Sequence, residues 1–234
     1  MREEYSVEAL QEKIGYTFHD LSLLKQAMTH KSYANEMQIN KADSYERLEF
    51  LGDAVLELIT SEFLFRGHTD VQEGELTRMR ASMVCEQSLA FCARDLSIGD
   101  FVLLGKGEEC TGGRFRDSII SDVMEAIIGA IYLDGGMEEA KKFVDTYVLN
   151  DLEHKQLFLD SKTMLQELVQ GKIKKDFEYR LVEESGPEHD KVFTIHAYLD
   201  HEFLGEGKGR TKKYAEQKAA YEALLILKER GVRK

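Results

Sequence analysis

Glu46, Glu49 and Asp53 stand at i, i+3 and i+7 of the run 46–56, ERLEFLGDAVL. At about 100° per helical residue the three carboxylates fall within an arc of about 60°. Leu48, Phe50, Leu51, Ala54, Val55 and Leu56 cover most of the rest of the circumference, and Leu58, Ile59, Phe63, Leu64 and Phe65 continue the apolar run. A helix of that kind belongs at the centre of a fold. Carboxylates gathered in a partly desolvated place repel one another and stay ionised only beside a cation. A divalent ion that prefers oxygen, Mg²⁺ or Mn²⁺, meets that need. Taken alone, the triplet also fits a solvated helix face. Glu57, one turn after Asp53, reads as the point where this face passes to solvent.

A second pair raises the case for a metal. Asp122 and Glu125 stand at i, i+3 among Ile119, Ile120, Val123, Ile127, Ile128 and Ile131. If the two helices pack side by side, Glu49, Asp53, Asp122 and Glu125 converge on the same ion or ions. Such a site activates a water and neutralises charge on a phosphodiester during in-line displacement. His19, His30 and His68 are scattered and read as surface or packing residues. Cys85, Cys92 and Cys110 are odd in number and lack CxxC spacing, so they read as reduced thiols rather than a disulfide framework or a structural zinc site.

The elements that must position these groups change character along the chain. Apolar spacing of the 3.6 type predicts helices over 7–13, 20–29, 44–66, 74–94, 117–133 and 137–153, with Asp20 and Ser44 as N-caps and a break at Gly135–Gly136. Residues 105–116 (GKGEECTGGRFR) read as a mobile loop. Beyond about residue 155 the pattern becomes a short helix over 161–170, strands over 177–184, 191–200 and 202–207, and a helix over 212–229. Ala215, Ala219, Ala223 and Leu227 would face the sheet. The whole chain, 234 residues, carries a net charge of −12. Residues 160–234 hold 15 Lys and Arg against 14 Asp and Glu, whereas 1–159 hold 16 against 29. An acidic front and a near-neutral back suggest two domains with separate tasks. Within 208–218, Lys208, Arg210, Lys212, Lys213 and Lys218 face only Glu216. Lys212 and Lys213 open the last helix behind a Thr211 N-cap, where they oppose the macrodipole and where a phosphate is the natural counter-charge. No uncharged apolar run of membrane-spanning length and no apolar signal core occurs, which predicts a soluble, intracellular protein without membrane contact.

Three blocks carry a family resemblance: ERLEFLGDAVL (46–56), THKSYANE (29–36) and DVMEAIIGAIYLD (122–134). They closely resemble bacterial ribonuclease III, and the likeness extends over essentially the whole chain. The resemblance implies an all-α N-terminal endonuclease domain at 1–154, a linker at 155–160, and a small α+β (α-β-β-β-α) double-stranded-RNA-binding domain at 161–230. It implies metal ligands at Glu49, Asp53, Asp122 and Glu125, with catalysis centred on Asp53 and Glu125 and support from Glu46 and from Glu73 in VQEGELTRMR. It implies Mg²⁺ as cofactor, with Mn²⁺ as a substitute, and a homodimer in which Phe50 packs into the partner subunit. Gln166 and Glu167 match residues that touch ribose hydroxyls in one minor groove, and Pro187, Glu188 and His189 match a second such contact. Lys212 and Lys213 match the residues that bridge the phosphates between. The implied activity is hydrolysis of double-stranded RNA to 5′-phosphate and 3′-hydroxyl ends with short 3′ overhangs, in the cytoplasm, on precursors of ribosomal and messenger RNA. Two other readings stay open at this point: an RNA-binding regulator that does not cut, and a metal-dependent phosphohydrolase of small nucleotides, for which the second domain has no purpose.

Overall fold

A computed structural model of the chain describes residues 6–173, 175–187 and 191–231. They form two compact units that divide between Asn150 and Asp151. In the first, α1 (Val7–Ile14), α2 (Leu21–Ala27) and α3 (Lys31–Glu36) lead through a 3-10 turn at Lys41–Asp43 to α4 (Glu46–Gly67). α5 (Glu73–Met83), α6 (Glu86–Asp95), the short α7 (Lys106–Cys110) and the long α8 (Asp117–Tyr147) follow. Asp20 caps α2 as expected, its carboxylate accepting from the Ser22 N–H. Ser44 does not cap α4. Its hydroxyl donates back to Lys41 O at 2.9 Å, closing the 3-10 turn, and Tyr45 takes the cap position with no side-chain cap bond.

The central helix is α8 rather than α4. Ile120, Val123, Met124, Ile127, Ile128 and Ile131 are almost wholly buried, and each such side chain contributes about 1.5–3 kcal/mol on leaving water. α4 buries Leu48, Val55, Leu56, Ile59 and Leu64 but leaves Phe50 81% and Phe65 74% exposed, with Leu58 on the same side. α4 and α8 meet backbone to backbone. A Cβ on Gly52 would stand 1.8 Å from the Glu125 carbonyl oxygen, and one on Gly129 would stand 2.3 Å from that of Leu48. No residue larger than glycine fits either point. α8 is broken where the sequence places a break: Gly136 has φ +81°, a value open to glycine at no steric cost. Its second part ends at Tyr147, short of 153.

Three further expectations need correction. Residues 74–94 form two helices, because the chain turns extended at Cys85 and Ser88 Oγ donates across the corner to Ser82 O at 2.8 Å. The stretch 105–116 is held, not loose. Arg114 is 5% exposed; it donates to Gly99 O at 2.6 Å and pairs with Glu109, while Arg116 pairs with Glu108 at 2.6 Å. Residues 155–160 are no linker: they lie inside α9 (Leu152–Leu168), whose buried Lys155, Phe158 and Ser161 give it a packed face well before residue 161.

The second unit runs α9, a π-helical turn at Val169–Ile173, β1 (Phe177–Ser185), β2 (Val192–Leu199), β3 (Glu202–Gly209) and α10 (Lys212–Glu229). The strands pair antiparallel in the order β1-β2-β3, with Tyr179 opposite Ala197 and Ile195 opposite Gly207. α10 lies on the sheet through Ala215, Ala219, Ala223 and Leu227, all buried as expected. A side chain at Gly207 would strike the Ala215 carbonyl, so small residues on both elements let helix and strand touch. Gln217 fastens α9 to α10 by donating to Phe158 O and Leu159 O at 2.6 and 2.8 Å. No helix among the described residues is long and apolar enough to cross a membrane.

Asp134, at the end of the 122–134 block, ties α8 to the start of α2. Its carboxylate is 2% exposed and accepts from Tyr16 Oη at 2.7 Å and from the N–H groups of His19 and Asp20 at 2.9 and 2.8 Å. Burial pushes this carboxyl up, but those donors pull it down further, to about 2. A carboxyl held below its unfolded value of 3.8 stabilises the fold above that value and loses the contribution as pH falls from about 4 to about 2. Asp134→Asn should therefore cost roughly 2 kcal/mol at neutral pH and flatten the acid limb of denaturant-derived stability over that window. An unchanged acid limb would refute the role. The helix crossing makes a second prediction. Gly52→Ala should lower stability by about 3 kcal/mol or more, whereas Gly74→Ala, with open space around it, should be neutral or slightly stabilising in thermal melts. Equal effects at the two sites would contradict the tight crossing.

Candidate active site and RNA-facing surface

The glycine crossing decides where the carboxylates go. Glu49 and Asp53 flank Gly52 on α4; Asp122 and Glu125 precede Gly129 on α8; and the Gly52 position itself abuts the Glu125 carbonyl. The four side chains therefore rise from two helices whose backbones touch. Their electrostatics report the crowding. Burial first, then the charges of Asp122 and Glu46, push Glu49 up to about 7. Burial, with Asp53, Asp122 and Glu49 behind it, pushes Glu125 up to about 8. Burial raises Asp53 too, aided by Glu57, and raises Asp122 against the pull of the Tyr45 hydroxyl.

Glu46 stands at the margin, half-exposed, with Lys31 Nζ 3.2 Å from its Oε1. The Lys31 charge also draws Glu49 and Asp122 downward. Glu73 is not brought to the cluster by this chain: it is exposed at the start of α5 and accepts from Thr77 Oγ1 at 3.1 Å. Glu57 lies toward solvent, 4.0 Å from Arg80 Nη1. His30 is a packing residue, 4% exposed, whose Nδ1 accepts from the Ser32 N–H at 3.1 Å at the start of α3. Tyr45 is the residue that sequence reasoning missed. It is 3% exposed and its Oη lies 3.4 Å from Asp122 Oδ2. Nothing in the sequence marks a tyrosine just before a helix as the partner of an aspartate on another helix.

The donor set suits a hard divalent cation: oxygen ligands only, all carboxylate, on groups whose ionisation is opposed by one another and favoured by added positive charge. Among the described residues no three His, Cys, Asp or Glu side chains are gathered tightly enough to hold a metal as they stand. Coordination would therefore call for side-chain rotation toward a common point, which carboxylates that are not fully buried allow on fixed helices.

In the second unit, Gln166 and Glu167 are exposed on α9, and Lys212 and Lys213 are exposed in the first turn of α10. Thr211 caps that turn as expected, its Oγ1 accepting from the Tyr214 N–H at 3.2 Å. Lys212 Nζ rests 5.3 Å from the centroid of the Phe193 ring. Pro187 is exposed, while Glu188 and His189 lie outside the described residues. Phe50 projects from α4 as an uncovered aromatic ring, one residue from Glu49 and three from Asp53.

Comparison with known proteins covers both units. Residues 20–152 match the family described as ribonuclease-III-like, and residues 161–227 match the double-stranded RNA binding motif. Ribonuclease 3 of Staphylococcus aureus strain bovine RF122 / ET3-1 is 47% identical over 219 residues, spanning 93% of this chain and 90% of that protein. Ribonuclease 3 of strain Newman is 46% identical over the same shares. Among solved structures, a nuclease domain of ribonuclease III from Campylobacter jejuni, described for flexibility in a region involved in dimer formation, matches with a TM-score of 0.57 and 44% identity over 61% of this chain and 96% of that one. A 2.2 Å crystal structure of the same domain matches at 0.56 and 43%, over 63% and 95%. With a nuclease module and a duplex-binding module in one chain, and close similarity along nearly its full length, the chain belongs to the ribonuclease III family.

Proposed function

We propose that the protein hydrolyses double-stranded RNA as a Mg²⁺-dependent endonuclease, with Mn²⁺ able to replace Mg²⁺, acting as a homodimer. The observation that carries this is the meeting of Glu49 and Asp53 with Asp122 and Glu125 across the glycine crossing, in a chain that also holds a double-stranded RNA binding motif. These four carboxylates would hold the cation, with Asp53 and Glu125 nearest the chemistry and Glu46 in support. A bound divalent ion supplies Lewis acidity, favouring ionisation of an attacking water and offsetting charge on the phosphodiester. The protein does the rest by placement. α4 and α8 cannot slide past one another, so the backbones that carry the carboxylates are pre-positioned and only side-chain rotation is left for binding. In-line attack that expels the 3′-oxygen leaves 5′-phosphate and 3′-hydroxyl ends, and two subunits cutting opposite strands leave short 3′ overhangs. Phe50, with Leu58 and Phe65, provides the apolar surface for the second subunit. Glu73, apart from the cluster in its own chain, is assigned a supporting acidic role.

The acidic front of the chain would repel RNA, so binding falls to the second unit. Lys212 and Lys213 would meet major-groove phosphates, Gln166 and Glu167 one minor groove, and the turn with Pro187 and His189 another, a mode that reads A-form shape and the 2′-hydroxyl rather than sequence. Joining the two modules raises the effective concentration of duplex at the carboxylates. A cytoplasmic role in maturing ribosomal and messenger RNA precursors fits this chemistry.

Two measurements test the reading. A long labelled RNA duplex should be cut at staggered positions with Mg²⁺ and left intact with chelator. Glu125→Gln should lower cleavage at least a thousandfold (~4 kcal/mol in the barrier) while duplex binding persists. Cutting without divalent metal, or an active variant, would defeat the metal assignment. For the second unit, Lys212→Ala combined with Lys213→Ala should weaken duplex binding and reduce the slope of log affinity against log salt by about one per lysine. An unaltered slope would show that these ammonium groups do not meet phosphate.

A further inference from the structure

Tyr45 has no role in the chemistry so far, yet it is buried and firmly held beside the carboxylates. Its N–H donates to Thr29 O at 2.9 Å, and its carbonyl accepts the Glu49 N–H at 2.9 Å as the first bond of α4. Its ring lies 5.6 Å from that of His30, centroid to centroid. His30 is itself buried and held to the Leu103 carbonyl through its N–H at 3.1 Å. Backbone and ring are thus both committed, and the hydroxyl has one direction left, across the gap to α8, where it reaches Asp122 Oδ2 at 3.4 Å. A phenol carries its proton at neutral pH, so beside a carboxylate oxygen this hydroxyl is the donor. At 3.4 Å the contact is longer than the ordinary O–H···O range of about 2.5–3.0 Å, and a small rotation of either side chain would close it.

We propose that Tyr45 is a positioning residue that presents Asp122 to the divalent cation. The hydroxyl engages one carboxylate oxygen of Asp122 and leaves the other for the ion, which spares the site from ordering that side chain on binding. The inference rests on the four-carboxylate reading of the site. It goes beyond that reading by adding a neutral donor that joins the helix bearing Glu49 and Asp53 to the helix bearing Asp122 and Glu125.

The test is a double-mutant cycle on the full chain: wild type, Tyr45→Phe, Asp122→Asn and the double variant, each titrated calorimetrically with Mn²⁺. Phenylalanine keeps the ring and its packing on His30, and a thermal melt in chelator checks that the variant folds. Tyr45→Phe should weaken Mn²⁺ binding about tenfold and raise the Mn²⁺ concentration for half-maximal cleavage by the same factor. In the Asp122→Asn background it should bring no further loss, because its effect passes through Asp122. Mn²⁺ binding by Tyr45→Phe as tight as wild type, or tighter, overturns the proposal. So does a full tenfold loss on top of Asp122→Asn, which would mean a general structural effect. A wild-type chain whose Mn²⁺ binding is indifferent to Glu125→Gln would instead remove the four-carboxylate reading itself, and with it this inference.

Discussion

The contact on which the rest depends is the crossing of α4 and α8 at Gly52 and Gly129. Two helices whose backbones touch have no side-chain layer to cushion a change of register, so the crossing acts as a fixed pivot. Residues one to seven positions from the pivot are then committed in space: Glu49 and Asp53 on one helix, Asp122 and Glu125 on the other. The large aliphatic residues of α8, buried all round, hold the pivot in place. The acidic cluster is thus a product of close packing and not of any attraction among its members. Left to themselves those members repel, and burial first, with that repulsion behind it, displaces Glu49 upward to about 7 and Glu125 to about 8.

That repulsion is a cost carried by the fold, and the neighbouring residues are arranged to moderate it. Lys31 neutralises Glu46 at the open side, and its charge reaches Glu49 and Asp122. Tyr45 offers Asp122 a proton without adding charge. Neither abolishes the negative potential, and a site for a divalent ion must not do so, because a cluster fully compensated by protein cations has nothing left to gain from metal. The same economy explains the split of charge along the chain. An RNA polyanion would be driven from the front unit, so the basic first turn of α10 sits in a separate unit, on a fold whose core is aliphatic and whose helix meets its sheet through alanine against glycine.

How much of this was legible in the sequence follows from the range of the interactions involved. The spacing of Glu46, Glu49 and Asp53, the Asp20 and Thr211 caps, the break at Gly136 and the sheet-facing alanines are local, and the chain states them directly. Gly52 and Gly129 were visible as letters, but their meaning is a distance between helices far apart in sequence. Ser44 was misread because two hydrogen-bonding choices lay within three residues, and the 3-10 turn took its hydroxyl. Residues 105–116 looked loose because they are rich in glycine, while the order comes from Arg114 finding Gly99 O across the fold. The supposed linker at 155–160 proved helical because Phe158 and Ser161 pack on α10, a long-range gain that local composition does not carry. Tyr45 was invisible for the same reason as the glycines.

The shape of α4 links these points. One face packs on α8, a second carries the acids, and a third, with Phe50, Leu58 and Phe65, meets water. Phe50 is the residue next to Glu49, so a surface that covers this apolar strip lies one side chain from the carboxylate cluster. The glycine pivot prevents α4 from yielding by sliding along α8. A partner pressing on the strip can therefore only hold α4 more firmly against α8, or turn it about the pivot. Holding it narrows the rotamers open to Glu49 and Asp53, the two carboxylates that α4 carries into the cluster. Since these carboxylates would have to converge to share a cation, any restriction of that freedom lowers the ordering cost of binding. On this argument the proposed subunit contact and the proposed cation site would share one helix because each would make the other less costly to form.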